Sequence, residues 1–119
     1  MSPKKKSTAE LALAARDLIE QINCDVLDEP GKMTAPRIHE TTRALMSLMD
    51  RLPQAFDQLA TVLEMRAKDG AIVMDTADDP DVAATTTAEE LRAAAADAQA
   101  LAHQLAVPTR TLYSMGHKS

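Results

Sequence analysis

Residues 36–68 read PRIHETTRALMSLMDRLPQAFDQLATVLEMRAK, and their apolar side chains keep one helical phase over almost the whole stretch. Successive members of this stripe lie mostly four or three residues apart, the spacing that places side chains on one face of an α-helix. The stripe consists of Ile38, Thr42, Leu45, Met49, Leu52, Phe56, Leu59 and Leu63. A stripe of this length requires cover from other helices, so it organises the predicted fold.

Pro53 lies in the middle of this stretch, where a proline removes a backbone hydrogen bond and costs about 3 kcal/mol. Because the apolar phase continues from Leu45 to Leu63, the sequence favours one long helix that is kinked just before Pro53. In the alternative, Pro53 occupies the first position of a new helix, and the chain then contains four helices instead of three.

The segments on either side of residues 36–68 predict one further helix each. Ser7 and Glu10 form a capping box that begins the first helix. Its apolar stripe is Leu11, Ala15, Leu18, Ile22 and Val26, with Ile19 beside it. The turn at residues 29–31, EPG, is short, which predicts that the first two helices are antiparallel neighbours. Thr34 is the expected N-cap of the central stretch, and Gly70 its expected left-handed cap.

The last helix follows residues 75–87, DTADDPDVAATTT, which predict a polar linker. Either Thr86 or Thr87 is expected to cap this helix, and Pro108 is expected to end it. Its predicted stripe is Leu91, Ala94, Ala98, Leu101 and Leu105.

These patterns together predict an all-α fold, a three- to four-helix bundle with a long Pro-kinked central helix and disordered termini. The expected parts are a basic arm at residues 1–6, a bundle domain at residues 7–106 and a flexible tail at residues 107–119.

The composition supports a helical fold and narrows the classes of function. The chain of 119 residues is 45% hydrophobic but only 2% aromatic, so side chains that favour strands are scarce. A net charge of −5 repels polyphosphate and argues against a dedicated nucleic-acid binder. Cys24 has no second cysteine for an internal disulfide, and no apolar run approaches the ~20 residues of a membrane span. We therefore expect a cytoplasmic protein.

The motifs of catalytic and metal sites are incomplete in this sequence. Residues 39–43, HETTR, begin like the zinc-binding HExxH helix, but Arg43 stands where the second His belongs. An EF-hand loop starting at Asp75 would need Gly and Glu where Pro80 and Thr86 stand. The sequence therefore predicts no enzyme activity, no metal, no cofactor and no small-molecule ligand.

A recurring Leu, Ala and Gln pattern runs through the second half of the chain. It comprises Arg51-Leu52-Pro53-Gln54, Asp57-Gln58-Leu59-Ala60 and Leu63-Glu64, followed by the Ala-rich last helix. This pattern resembles a group of small helical proteins from high-GC actinobacteria. The group carries no settled activity, so the resemblance implies a helical fold and lends no site residues.

The predicted function is that of a non-enzymatic cytoplasmic interaction or accessory protein that forms a homodimer. Three amphipathic helices rich in Ala bury little area per residue, and a second copy would cover the rest of the long stripe. The candidate interaction surface is Leu45, Met46, Met49, Phe56, Leu59 and Leu63. Methionine adapts to irregular partner surfaces, although Met at helical spacing is more often part of a plain core.

Two alternative functions remain open at this stage. The first is a nucleic-acid-associated accessory protein, with Lys4, Lys5 and Lys6 as candidate phosphate contacts. The second is an antitoxin-like regulatory subunit, in which the linker at residues 75–87 and the tail fold onto a partner protein.

Overall fold

The computed structural model describes residues 5–116 and residue 118, and within that part of the chain it contains helices and no strand. The α-helices of this part are α1 (Thr8–Asp28), α2 (Ala35–Met49), α3 (Leu52–Lys68) and α4 (Pro80–Tyr113). A short 3₁₀ helix, Pro30–Lys32, joins α1 to α2. The prediction of an all-α fold is confirmed.

α4 runs antiparallel to α2 and α3 and packs along both of them, so the three helices form one long hairpin. On α3, Glu64 forms an ion pair with Arg92 of α4. On α2, the ring of His39 meets the ring of Tyr113, with the two centroids 5.5 Å apart. Residue numbers therefore rise along α2 and α3 while they fall along α4. With 34 residues, α4 is roughly 50 Å long.

The core of this hairpin is a seam of mostly small side chains along α4. Members of the seam lie alternately four and three residues apart, the heptad spacing of a coiled coil. They are Ala84, Ala88, Leu91, Ala95, Ala98, Ala102, Leu105, Thr109 and Leu112, of which the alanines and Thr109 are buried and the leucines half-buried. Larger half-buried side chains, among them Met49, Leu52, Phe56 and Leu63, lie on α2 and α3. Small residues opposite large ones let the helices approach closely.

The predicted stripe of α4 is wrong at two positions. Ala94 and Leu101 were expected to be buried, but both are exposed, and their neighbours Ala95 and Ala102 are buried instead. The physical reason is that α2 and α3 already supply the bulky side chains of this interface. The facing helix therefore contributes alanine, and Leu101 remains on the flank.

The predicted linker at residues 75–87 is wrong over its second half. α4 begins at Pro80, and its N-cap is Asp79, whose side chain accepts a hydrogen bond of 3.1 Å from the amide of Asp81. Neither Thr86 nor Thr87 caps the helix, since both lie inside it. An N-cap Asp followed by Pro in the first turn is itself a strong start signal, and it precedes the capping boxes in the chain.

The expected end of the last helix at Pro108 is also wrong. α4 continues through Pro108 to Tyr113. A proline removes its own amide donor and crowds the carbonyl four residues earlier, yet α4 continues, and the next residue, Thr109, donates its hydroxyl to the carbonyl of Leu105 at 2.6 Å. Because the contact between Tyr113 and His39 holds the far end of α4 against α2, residues 107–113 belong to the hairpin.

The junction between α2 and α3 keeps a helical backbone even though the two helices are separate elements. Asp50 and Arg51 both have right-handed helical dihedral angles, and Pro53 lies in the first turn of α3. The Arg51 amide donates to the Leu48 carbonyl, which leaves the Ser47 carbonyl free of its usual partner. The Arg51 guanidinium donates to that carbonyl at 2.9 Å.

The predicted caps at Ser7, Thr34 and Gly70 are confirmed. Ser7 and Glu10 form the capping box of α1, and the Thr34 side chain accepts from the Arg37 amide at the start of α2. α3 ends at Lys68, and Gly70 beyond it has a φ of +71°. The amide of Gly70 donates to the Ala67 carbonyl and that of Ala71 to the Arg66 carbonyl, the two bonds of a Schellman motif.

The prediction that α1 packs antiparallel against α2 is wrong. In the described part of the chain, α1 is close in backbone only to the 3₁₀ helix Pro30–Lys32, which directs it away from the hairpin. The chain is accordingly extended, with principal dimensions of 64 × 42 × 25 Å. Its radius of gyration is 19.6 Å, against about 13.5 Å for a compact domain of this length.

The predicted arm at residues 1–6 falls only partly within the described structure. Residues 1–4, and with them Lys4, lie outside it, while Lys5 and Lys6 are exposed and have no regular secondary structure. The division into arm, bundle domain and tail stays a prediction, although the predicted tail boundary at residue 107 lies within α4.

Candidate interaction surface

α1 is a well-capped helix without tertiary cover. None of its 21 residues, all of which the structure describes, is buried. Large apolar side chains of α1 face solvent, namely Leu11, Leu13, Leu18, Val26 and Leu27, and Leu18 is 62% exposed. Most helical stability in proteins comes from packing an apolar face. α1 therefore presents an apolar surface that the described part of the chain leaves uncovered.

The side chains of α1 divide into two faces. Its apolar face contains Leu11, Ala15, Leu18 and Ile22, which repeat every three to four residues, flanked by Ile19 and Val26. The opposite face contains Asp17, Glu20 and Cys24 together with Leu13 and Leu27. We call the first set the α1 apolar face.

A crevice lies where the C-terminal half of α1 meets the N-terminal half of α2. It has a volume of about 670 Å³, and its apolar lining includes Ile22, Val26, Met33, Ile38 and Leu45. The α1 apolar face thus continues directly into this crevice, which we call the α1–α2 crevice.

A neighbouring cleft of about 500 Å³ adds a charged rim, with Asp25, Glu29 and Glu40 as its acids. Lys32 and Arg37 lie in the same cleft, and Lys32 Nζ forms an ion pair of 2.9 Å with Glu29.

Several charges at the two ends of α1 oppose its helix dipole, although Glu10 in the first turn is favourably placed. Lys5 and Lys6 stand directly before the N-terminus, where the dipole is positive, and Asp25 and Asp28 stand in or near the last turn, where it is negative. The last turn contains no basic residue. Within one chain this arrangement is unfavourable, whereas the two ends attract each other when two such helices lie antiparallel.

The residues predicted as an interaction surface lie mainly in the seam of the hairpin. Leu45, Met46, Met49, Phe56 and Leu63 are half-buried, on the helices that pack against α4. Leu59 is the exception at 52% exposure, because Ala60 takes the buried position on α3. Other exposed apolar residues of the hairpin are Val62, Met65 and Leu101. Sequence reasoning assigned the α1 apolar face to the monomer's core, and so it missed the most exposed apolar helix.

One ion pair joins α3 to α4 on the flank of the seam. Arg92 donates to the Glu64 carboxylate, and both side chains are about two fifths exposed. This hydrogen bond from Arg92 lowers the pKa of Glu64 and, reciprocally, raises the pKa of Arg92. Partial burial of the two charges works in the opposite direction, and the hydrogen bond outweighs it.

The chemistry-bearing side chains of the described region do not converge on one site. Among the described residues, no group of three or more His, Cys, Asp and Glu side chains is placed to hold a metal ion. His39 packs its ring against Tyr113, and Cys24 is exposed on α1. An open cleft of about 780 Å³ between α3 and α4 contains Asp57 and His103, with no hydrogen bond between the two. The third histidine of the chain, His117, lies outside the described residues.

The candidate phosphate contacts Lys5 and Lys6 are exposed before α1. Lys4 lies outside the described residues.

Comparison with known proteins adds no relative for this arrangement. No protein-family model, no curated protein and no solved structure matches the chain. The resemblance to small helical actinobacterial proteins therefore stays a prediction. Within the described residues, none of the helices combines the length and the apolar character that crossing a bilayer demands.

Proposed function

We propose that this chain is a cytoplasmic, non-enzymatic interaction protein that self-associates through its helices, with α1 as the main contact. The observation that carries this proposal is that α1 has a continuous apolar face and no buried side chain. A capped amphipathic helix that is uncovered in one copy of a protein is a typical partner-binding element.

The accessible surface of the chain supports a partner of substantial size. It amounts to 9469 Å², whereas a compact monomer of 12.8 kDa exposes about 6,300 Å². Residues outside the described range can account for roughly 1,000 Å² of the difference at most, since an unfolded chain exposes about 1.45 Å² per dalton. About 2,000 Å² per chain remains, or about 4,000 Å² for two copies together, which lies within the range of about 2,000–5,000 Å² that obligate homodimers bury in total.

The small size of the buried side chains also supports self-association. Among the described residues, the buried side chains are six alanines and Thr109, and no large side chain is fully buried. A two-helix seam of this kind gives a small hydrophobic contribution, because each alanine contributes little area at about 25 cal/mol per Å². Self-association would supply the missing core. In this proposal α2 and α3 act as one arm bent at Pro53, and the three- to four-helix bundle is completed by helices from two copies.

The test is the mass of the protein in solution. Light scattering coupled to size-exclusion chromatography at micromolar concentration should give twice 12.8 kDa. Leu18→Asp should give a monomer, because each copy loses about 2 kcal/mol of apolar burial, roughly a thousandfold in the dissociation constant of the dimer. Leu13→Asp, which makes the same change on the opposite face of α1, is the matched control and should remain dimeric.

A wild-type protein that is a stable, folded monomer at micromolar concentration would refute the proposal. Equal weakening by Leu18→Asp and Leu13→Asp would show that α1 contributes through its charge or its helicity and not through the apolar face.

A further inference from the structure

We infer that two copies of this chain pair their α1 helices antiparallel, so that the N-terminal half of each α1 covers the α1–α2 crevice of the other copy. This inference rests on the proposed self-association and names its partner surface, a second α1. It fixes both the direction and the register of the contact.

The direction follows from the charges at the two ends of α1. In an antiparallel pair, Lys5 and Lys6 of each copy lie beside Asp25 and Asp28 of the partner subunit. Cations that oppose the N-terminal dipole of their own helix then meet the negative C-terminal end of the other helix. A parallel pair would place the acidic ends side by side and the basic ends side by side. Charge complementarity therefore selects the antiparallel pair.

The register follows from the spacing of the α1 apolar face. Antiparallel helices with heptad spacing interleave positions that alternate three and four residues apart. The alignment in which every member of the stripe Leu11, Ala15, Leu18 and Ile22 faces another member puts Leu11 level with Ile22 of the partner subunit and Ala15 level with the partner's Leu18. The two-fold symmetry repeats both contacts, so that Ile22 is level with the partner's Leu11, and the pair has four apolar layers. The same alignment places Lys5 level with Asp28 of the partner subunit.

This register brings the second copy to the α1–α2 crevice. Ile22 forms part of the crevice lining together with Met33 and Ile38. The partner's Leu11, which is level with Ile22, supplies an apolar side chain to a crevice of about 670 Å³ that is open to solvent in one copy. Two symmetric crevices are covered in one dimer, and the interface is closed because each α1 both gives and receives the same contact.

Disulfide trapping in the full-length chain tests the direction and the register. Cys24 is first replaced by Ser, which removes the native thiol on the opposite face of α1. Leu11→Cys and Ile22→Cys are then prepared as two separate proteins. An equal mixture of the two should form a covalent heterodimer under mild oxidation, since the two residues face each other across the antiparallel pair.

Each single variant alone should stay uncrosslinked. In the antiparallel pair, the two copies of residue 11 lie roughly 16 Å apart along the axis, far beyond the ~7 Å that a disulfide spans. In a parallel pair they would be adjacent. A mixture of Leu13→Cys with Ile22→Cys is the matched control and should not crosslink, because Leu13 lies on the opposite face.

A charge swap provides an independent readout. The double variant Lys5→Glu and Lys6→Glu should weaken the dimer about tenfold or more, and so should Asp25→Lys with Asp28→Lys. Mixing the two double variants should restore association as a heterodimer that, like the wild type, weakens as salt is added, whereas salt should strengthen each double variant's own weak dimer.

The possible failures are distinguishable. A monomeric wild type refutes the proposed self-association itself. A dimer in which Leu11→Cys crosslinks alone, or in which the mixture does not crosslink, overturns the antiparallel α1 pair while leaving self-association in place. A dimer whose mixed variants do not crosslink would indicate that α1 docks on the hairpin of the other copy, beside Leu59 and Leu101.

Discussion

The register of the seam on α4 can be tested by exchanging one residue for its neighbour. Ala95 is 4% exposed and Ala94 is exposed, and the two are adjacent alanines in the same helix. Ala95 lies one turn from the Arg92 ion pair with Glu64, on the same side as Ala60, which is 0% exposed. Ala60 and Ala95 therefore lie at a similar level, where the two helices approach closely.

The variant Ala95→Leu adds three carbons at this contact. Overpacking of a well-packed interior costs about 1–3 kcal/mol, and the upper part of that range applies where alanine lies near alanine. Ala94→Leu adds the same atoms on the exposed side and should change the free energy of unfolding by less than about 0.5 kcal/mol. The two variants have the same composition and nearly the same helix propensity, so they differ only in the side of α4 on which the leucine lies.

Urea unfolding followed by circular dichroism measures this difference at one fixed protein concentration, because association shifts the midpoint. With an m-value of about 1–3 kcal/mol per molar, Ala95→Leu should lower the midpoint by roughly 1 M. If Ala94→Leu is the more destabilised variant, the seam follows the stripe predicted from the sequence and the structural register is refuted. An equal loss of stability in both variants would show that α4 has apolar contacts on both faces.

Three further predictions concern single interactions of the hairpin. Because Arg92 holds the pKa of Glu64 below its usual range, Glu64→Gln should lower the melting temperature at pH 7, and its difference from wild type should shrink as the pH falls through that lowered pKa. A difference that does not shrink as the pH falls would exclude the ion pair as its cause. Thr109→Val should cost about 1 kcal/mol in urea unfolding, since it deletes the hydrogen bond to the Leu105 carbonyl, and an unchanged midpoint would contradict that role. Gly70→Ala should cost about 1 kcal/mol through its φ of +71° alone, because no atom lies within 4 Å of the added carbon, and a stabilised variant would show that this cap is not left-handed.

Local signals in the sequence predicted the helix ends well where side chains cap them. The Ser7 and Glu10 capping box, Thr34 as N-cap and Gly70 as C-terminal cap act within four residues of the chain, so their geometry depends little on tertiary contacts. Asp79 and Pro80 carry an equally local start signal, and it was read as part of a linker because two threonine boxes follow it.

The side of a helix that is buried was harder to predict, because it depends on the partner helix. Counting hydrophobic residues favours Leu101 over Ala102, since leucine gains more from burial. In the hairpin, α2 and α3 contribute the large side chains, so Ala102 is buried and Leu101 lies on the flank. On α3 the same effect buries Ala60 and exposes Leu59.

The candidate site was missed for a related reason. A short connection between two amphipathic helices is typical of antiparallel neighbours, and residues 29–34 form such a connection. The 3₁₀ helix Pro30–Lys32 turns the chain so that α1 points away from α2, a direction that composition and periodicity do not encode. The unfavourable charges at the two ends of α1 are visible in the sequence, and the proposed intermolecular contact rests in part on them.

The long hairpin also determines the order in which backbone amides become protected from hydrogen exchange. Residues next to the connection at 69–79 meet partners that are close in sequence, whereas His39 and Tyr113 are separated by roughly 74 positions. Closing the near end requires a small loop and therefore little chain entropy, and each further turn extends a structure that already exists. Amide protons around Ala60 and Ala88 should consequently exchange slowest, and those near Tyr113, where the hairpin opens first, should exchange fastest.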